Sequence, residues 1–138
     1  MLVRNCAGGI VFKNDSVLLL QNDKSEWIFP KGVLRHGGKT KDIALESVKR
    51  ESGVSAETLG SFGRTSYEFF SASRQKPVRN IVVWYIMVAK EGEVTPNISQ
   101  GFSKGGFFPF YEALEMVTYS QDKSLLLTGY QRYKELIH

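Results

Sequence analysis

The stretch from Phe29 to Val54, FPKGVLRHGGKTKDIALESVKRESGV, constrains the fold more than any other part of the chain. A brief extended piece, Glu26–Phe29, leads into it and stops at Pro30, which has no N–H to give to a strand ladder. Gly32, Gly37 and Gly38 then make a loop that needs backbone freedom. Thr40 is a good N-cap, and Lys41–Ser52 reads as a helix stopped by Gly53. Ile43, Ala44, Leu45 and Val48 form its packing stripe.

On either side of this unit the chain reads mostly as strands. Arg4–Phe12 and Ser16–Gln21 are two strands joined by the polar turn Lys13-Asn14-Asp15. Leu59–Phe70 is extended with a break at Gly63, and SASRQKP (Ser71–Pro77) is a polar turn. Ile81–Val88, IVVWYIMV, is apolar throughout, the pattern of a strand buried on both faces. A polar loop, Glu91–Gly101, precedes a short apolar piece, Phe107–Phe110. Tyr111–Val117 and Gln121–Leu136 read as helices. A mixed sheet between helices, an α/β/α sandwich, is the natural way to pack this order of elements.

At 138 residues, with no repeat, low-complexity tract or linker, one domain spanning residues 1–138 is expected. No apolar run reaches the ~20 residues of a membrane span, and the first residues lack the pattern of a signal peptide. One cysteine, Cys6, in an apolar segment reads as a buried small hydrophobe and fits a reducing, cytoplasmic setting. The net charge of +4 is a mild bias toward anionic ligands, with no charged block of the kind that marks a nucleic-acid tail. The oligomeric state is not legible.

The order strand–strand–WIFPKG–glycine loop–helix–strands–helix resembles the Nudix superfamily over nearly the whole chain. The family pattern is G-x5-E-x7-R-E-U-x-E-E-x-G-U, with U bulky and aliphatic. Starting at Gly32, five of its nine defined positions match: Gly32, Val48, Glu51, Gly53 and Val54. A shift of one residue, to bring Glu46 to a metal position, would put Ser47 on the aliphatic site and break the Gly53-Val54 match. The C-terminal YSQDKSLL is similar to the start of the last helix in the diadenosine-polyphosphate branch.

The resemblance implies Mg²⁺ or Mn²⁺ held by carboxylates from one helix face, at positions 47, 50 and 51. Such an ion neutralises phosphate oxygens and activates water for hydrolysis of a diphosphate link. This chain has Ser47, Arg50 and Glu51 there, and Gly38 at the loop glutamate. A hydroxyl is a poor Mg²⁺ ligand and a guanidinium a repulsive one. Two unit charges ~4 Å apart interact by about 4 kcal/mol at an effective dielectric of 20. Glu51, the sole retained ligand position, cannot assemble the site alone, so no metal or other cofactor is expected. Where the family has arginine then glutamate, Glu46 and Arg50 stand exchanged, an i,i+4 pair able to bridge on the helix.

The expectation is therefore a degenerate Nudix domain without catalysis that binds a phosphorylated small molecule or a protein partner. A residual Mg²⁺- or Mn²⁺-dependent hydrolase with Glu51 essential is the alternative. A third reading is a scaffold presenting Phe102, Phe107, Phe108, Phe110 and Tyr111. Ligand-binding candidates are Lys31, Arg35 and Lys39 around the glycine loop, Arg50 in the metal's place, and Arg64 and Arg79 on the later strands. Tyr67 is the candidate for stacking a nucleobase, while Trp84 reads as core. Glu112, Glu115 and Asp122 lie where some relatives recruit a further carboxylate, without the helix ligands that would make it useful.

Overall fold

Continuously buried apolar runs and a tight polar turn make a hairpin of β1 (Leu2–Lys13) and β2 (Ser16–Asn22). Asn14 takes the turn at φ 55, a left-handed conformation that asparagine tolerates. The structure, a computed structural model, describes residues 1–137. Two short strands follow, β3 (Trp27–Ile28) and β4 (Lys31–Val33), then helix α1 (Thr40–Ser52). The long strands β5 (Ser55–Ser71) and β6 (Lys76–Glu91) form a second hairpin. A 3-10 turn at Ile98–Gln100 precedes β7 (Phe102–Pro109), and helices α2 (Phe110–Met116) and α3 (Ser120–Leu136) complete the chain.

The strands form one mixed sheet in the order β3-β2-β1-β6-β5, with β4 also paired to β1 and β7 to β2. Among the described residues only β1 and β6 run parallel, in register from Leu2↔Val78 to Phe12↔Val88. Side chains alternate across the sheet, so it carries two cores. Cys6, Ile10, Phe12, Trp84 and Ile86 pack with Leu125, Leu126 and Tyr133 of α3 and Phe110 and Ala113 of α2. Ala7, Val11 and Met87 pack on the other face with Ala44 and Val48 of α1. The expected α/β/α sandwich is present. Among the described residues, no helix is long and apolar enough to cross a membrane.

Four expectations differ from the structure. The strand at Ile81–Val88 is not buried on both faces. Val82, Trp84 and Ile86 are fully covered, whereas Ile81, Val83 and Tyr85 are half-exposed because α1 shields only part of that face. Thr40 is the first helical residue, not the N-cap. Lys39 holds the cap position without a side-chain bond, and the Thr40 hydroxyl instead meets the Tyr85 hydroxyl at 2.5 Å. The Glu46–Arg50 ion pair does not form among the described residues. The aromatic set near the C-terminus is no continuous exposed patch. Phe102 and Phe110 are buried, Phe107 and Phe108 pack against the two cores, and only Tyr111 stands free at 80% exposure.

The short strand β4 lies on β1 at very close range. A Cβ added to Gly8 would fall 2.5 Å from the Pro30 carbonyl oxygen and 2.6 Å from the Trp84 ring. The Gly9 N–H donates to that same carbonyl at 3.1 Å. Gly8→Ala is therefore expected to lower stability by about 1–3 kcal/mol, the usual cost of overpacking, in urea unfolding. An unchanged midpoint would show that β4 does not need this approach.

Candidate functional site

Three local choices shape the glycine-loop region. Gly37 turns the loop at φ 79, while Gly38 is not left-handed, and a Cβ on it would crowd the Arg35 carbonyl oxygen at 3.1 Å and the Ile43 side chain at 3.3 Å. Gly53 ends α1 at φ 79, its N–H bonding the Lys49 carbonyl as a left-handed cap. Gly32 faces α1 directly: a Cβ there would fall 2.2 Å from Ser47 Oγ and 3.0 Å from Arg50 Nη2. The Arg50 guanidinium thus lies over Gly32, with Nη2 3.4 Å from Ser47 Oγ.

The three helix positions are each engaged with protein groups. The Ser47 hydroxyl, fully buried, donates to the Ile43 carbonyl at 2.7 Å. Glu51, 8% exposed, accepts the Lys31 backbone N–H at 3.2 Å. Burial pushes its carboxyl up to about 7, against the charges of Lys31 and Arg50 and that backbone bond, which pull it down. Among the described residues, no three His, Cys, Asp or Glu side chains group closely enough to hold a metal ion. One buried carboxyl beside a hydroxyl and a guanidinium does not fit Mg²⁺, which requires several charged oxygen donors.

Beside this region opens a cleft of about 390 Å³. The β2–β3 turn (Asn22, Glu26), Lys31 and the paired strands β5 and β6 (Tyr67, Asn80) line it, together with the start of α3 (Tyr119, Asp122). Thr65 and Tyr67, two apart on β5, face the same side, and each hydroxyl bonds a residue distant in the chain. The buried Trp84 indole N–H donates to Thr65 Oγ1 at 2.8 Å, and the Tyr67 hydroxyl donates to Asp122 Oδ1 at 2.5 Å. The Tyr67 and Tyr119 rings meet edge to face, with centroids 5.7 Å apart. Tyr119 in turn donates to Glu26.

Charges in the cleft are set by burial and by Lys31. Asp122 is 2% exposed, and desolvation raises its carboxyl, opposed by the Tyr67 hydrogen bond and the Lys31 charge. Partial burial pushes Glu26 up, but the bonds from Tyr119 and Asn22 outweigh it and hold the carboxyl below its usual range. Desolvation pushes the Tyr67 hydroxyl well up, and the neighbouring Asp122 charge adds to it. Lys31 connects the two regions: its N–H bonds Glu51, and its Nζ lies 5.9 Å over the Tyr67 ring.

Of the sequence candidates, Lys31 and Tyr67 come together in the cleft, and Arg50 and Glu51 flank Gly32. Arg35 and Lys39 are exposed on the loop before α1, outside the cleft lining. Arg64 is exposed on β5, and Arg79 is paired with Glu68; neither lines the cleft. Asp122, Asn80, Tyr119 and Glu26 were not singled out as ligand contacts from sequence. The one available signal was the Thr65–Tyr67 spacing, which puts two hydroxyls on one strand face.

The chain belongs to the NUDIX domain family, whose model matches residues 3–128. Solved structures agree on the fold. An Ap4A hydrolase of C. elegans, in a binary complex, is 15% identical, with 96% of this chain and 98% of that one aligned at a TM-score of 0.68. A mutator MutT protein of Bacillus halodurans is 23% identical over 89% of this chain and 79% of its own, at 0.65. The E. coli dihydroneopterin triphosphate pyrophosphohydrolase is 14% identical over 91% and 95%, at 0.67.

The raised Glu51 carboxyl gives a pH test. The folded state binds its proton more tightly than the unfolded chain, whose carboxyl titrates near 4.5. Its contribution to stability therefore falls as pH rises from about 4.5 through about 7 and stays lost above. Glu51→Gln keeps the acceptor for Lys31 without the charge. It is expected to be more stable than the parent at pH 8, by on the order of 1–3 kcal/mol, and equal to it near pH 4.5. Chemical denaturation at both values checks this; a variant weaker at pH 8 would show that Lys31 and Arg50 outweigh burial.

Proposed function

We propose that this Nudix domain binds a phosphorylated small molecule without metal-dependent hydrolysis. The observation that carries the reading is the Arg50 guanidinium over Gly32 and Ser47, where the family's helix carboxylates would converge on Mg²⁺. A fixed guanidinium can hold phosphate oxygens in a bidentate fashion with no ion between them. Lys31, joined to the box through Glu51 and to the cleft through Tyr67, supplies a second cation on the same path. The candidate ligands are nucleotides, dinucleoside polyphosphates and inositol polyphosphates. Arg35 and Lys39 on the loop, and Arg64 and Arg79 on the sheet, are left as outer contacts for a long polyanion. Mg²⁺ or Mn²⁺ enters only if hydrolysis survives through Glu51.

Heat stabilisation and turnover, followed with and without EDTA across a panel of these compounds, test the proposal. At least one of them is expected to raise the melting temperature equally with and without EDTA. Arg50→Ala should weaken that ligand by about tenfold or more, in keeping with loss of a charged hydrogen bond. Turnover that requires Mg²⁺ or Mn²⁺ and disappears in Glu51→Gln would overturn it in favour of a residual hydrolase. A folded protein that no compound stabilises would leave the scaffold reading.

A further inference from the structure

One face of the sheet is left uncovered where α1 begins. Cross-strand pairing places Val3, Asn5 and Ala7 of β1 beside Arg79, Ile81 and Val83 of β6. Glu68, Ser66 and Arg64 of β5 continue these three rows. Ala7 packs in the α1 core, so the rows share the face that α1 covers, opposite the cleft wall of Tyr67 and Asn80. The helix starts beside Tyr85, where the Thr40 hydroxyl meets the tyrosine hydroxyl. Beyond that point Ile81 and Val83 are half-exposed and Val3 is 48% exposed, and none of them joins either core. Phe70, 63% exposed and paired with Pro77, extends the strip at its far end.

Scattered apolar side chains on a surface are ordinary, but a continuous strip between rims of one charge is not. Arg64, exposed, stands directly beside Val83. On the other side the Leu34 N–H bonds the Asn5 carbonyl at 2.7 Å, and the loop from there to α1 carries exposed Arg35 and Lys39. Against these cations stand Glu68, already engaged by Arg79, and Asp42 in the first turn of α1. The charge therefore asks for an acidic partner. The middle of the strip is aliphatic, whereas nucleobases bind by stacking on aromatic faces, so protein side chains suit it better than a nucleic-acid strand. An added strand finds the adjoining edge closed. The Gln121 amide accepts the Ser66 N–H at 3.2 Å and donates to its carbonyl at 2.8 Å, the two bonds that a new strand would make there. A helix laid across the face needs no such bonds, and from Pro77 to Val83 the strip runs about 20 Å, the length of roughly 13 helical residues.

We propose that this face docks a protein partner through an acidic amphipathic helix. The aliphatic stripe of that helix lies on Val3, Ile81 and Val83, and its flanking carboxylates meet Arg64 on one side and Arg35 and Lys39 on the other. The interaction goes beyond phosphate binding and does not depend on it, since the cleft opens on the opposite face of the sheet.

Fluorescence anisotropy on the intact protein tests it, with a labelled synthetic helix whose leucines recur at i, i+3, i+4 and i+7 between glutamates. This peptide is expected to bind at least about tenfold more tightly than a scrambled peptide of the same composition, and than a version with lysines for glutamates. Its affinity should fall as salt rises. Val83→Glu should weaken it by about tenfold or more, and Arg64→Glu by about threefold or more. If Val83→Glu does not give a cooperative melt, Arg64→Glu at its exposed position decides. No binding, or equal binding of the scrambled or lysine peptide, would overturn the proposal. An affinity untouched by both substitutions would overturn it too. An oligouridylate that binds more tightly and displaces the peptide would replace the protein partner with a nucleic acid. Inorganic tripolyphosphate that displaces it at equal concentration would reduce the face to an outer anion site.

Discussion

The close approach of β4 to β1 is the contact on which both halves of the site depend. It exists because Gly8 has no side chain between the Pro30 carbonyl and the Trp84 ring. Gly32, one residue beyond Lys31, lets α1 close over the same strand. Between these two contacts Lys31 is held with its N–H on Glu51 and its ammonium over Tyr67. Widening either contact would separate the helix face from the cleft, which share Lys31 as their common boundary.

That geometry sets the electrostatics. Glu51 and Asp122 are both buried, on either side of Lys31, and its charge pulls both carboxyls down against the desolvation that raises them. An ion cage would need several such carboxylates turned to one point. Here the polar groups at the helix positions turn to the protein instead: Ser47 to Ile43, Glu51 to Lys31, and Arg50 across Gly32. The positive charge in this region is carried by the chain itself. That arrangement differs from a cage of carboxylates built around Mg²⁺.

Much of the scaffold was legible in the residues. The family could be read because glycine and aliphatic positions between Gly32 and Val54 report backbone and packing demands, which persist whatever the chemistry. The helices and long strands followed from periodicity, with ends displaced by a residue or a few. Tertiary competition explains the misses. Thr40 gave its hydroxyl to Tyr85 rather than to the helix end, and Arg50 lay toward Gly32 rather than Glu46. Ile81, Val83 and Tyr85 look as apolar as Val82 and Trp84, but a sheet face is covered only as far as its helix reaches.

By itself, the sequence determined the strand–glycine loop–helix unit and the order of elements around it. It also determined that carboxylates are missing at Gly38, Ser47 and Arg50. These are properties of local backbone preference and residue type, and they need no partner distant in the chain. Only the tertiary structure decided where Arg50 points, which carboxylates lose their water, and that Tyr67 and Asp122 meet across fifty-five positions of sequence. Desolvation and hydrogen-bond direction belong to the assembled cleft. A side chain's surroundings come from strands and helices whose proximity no short stretch of residues encodes.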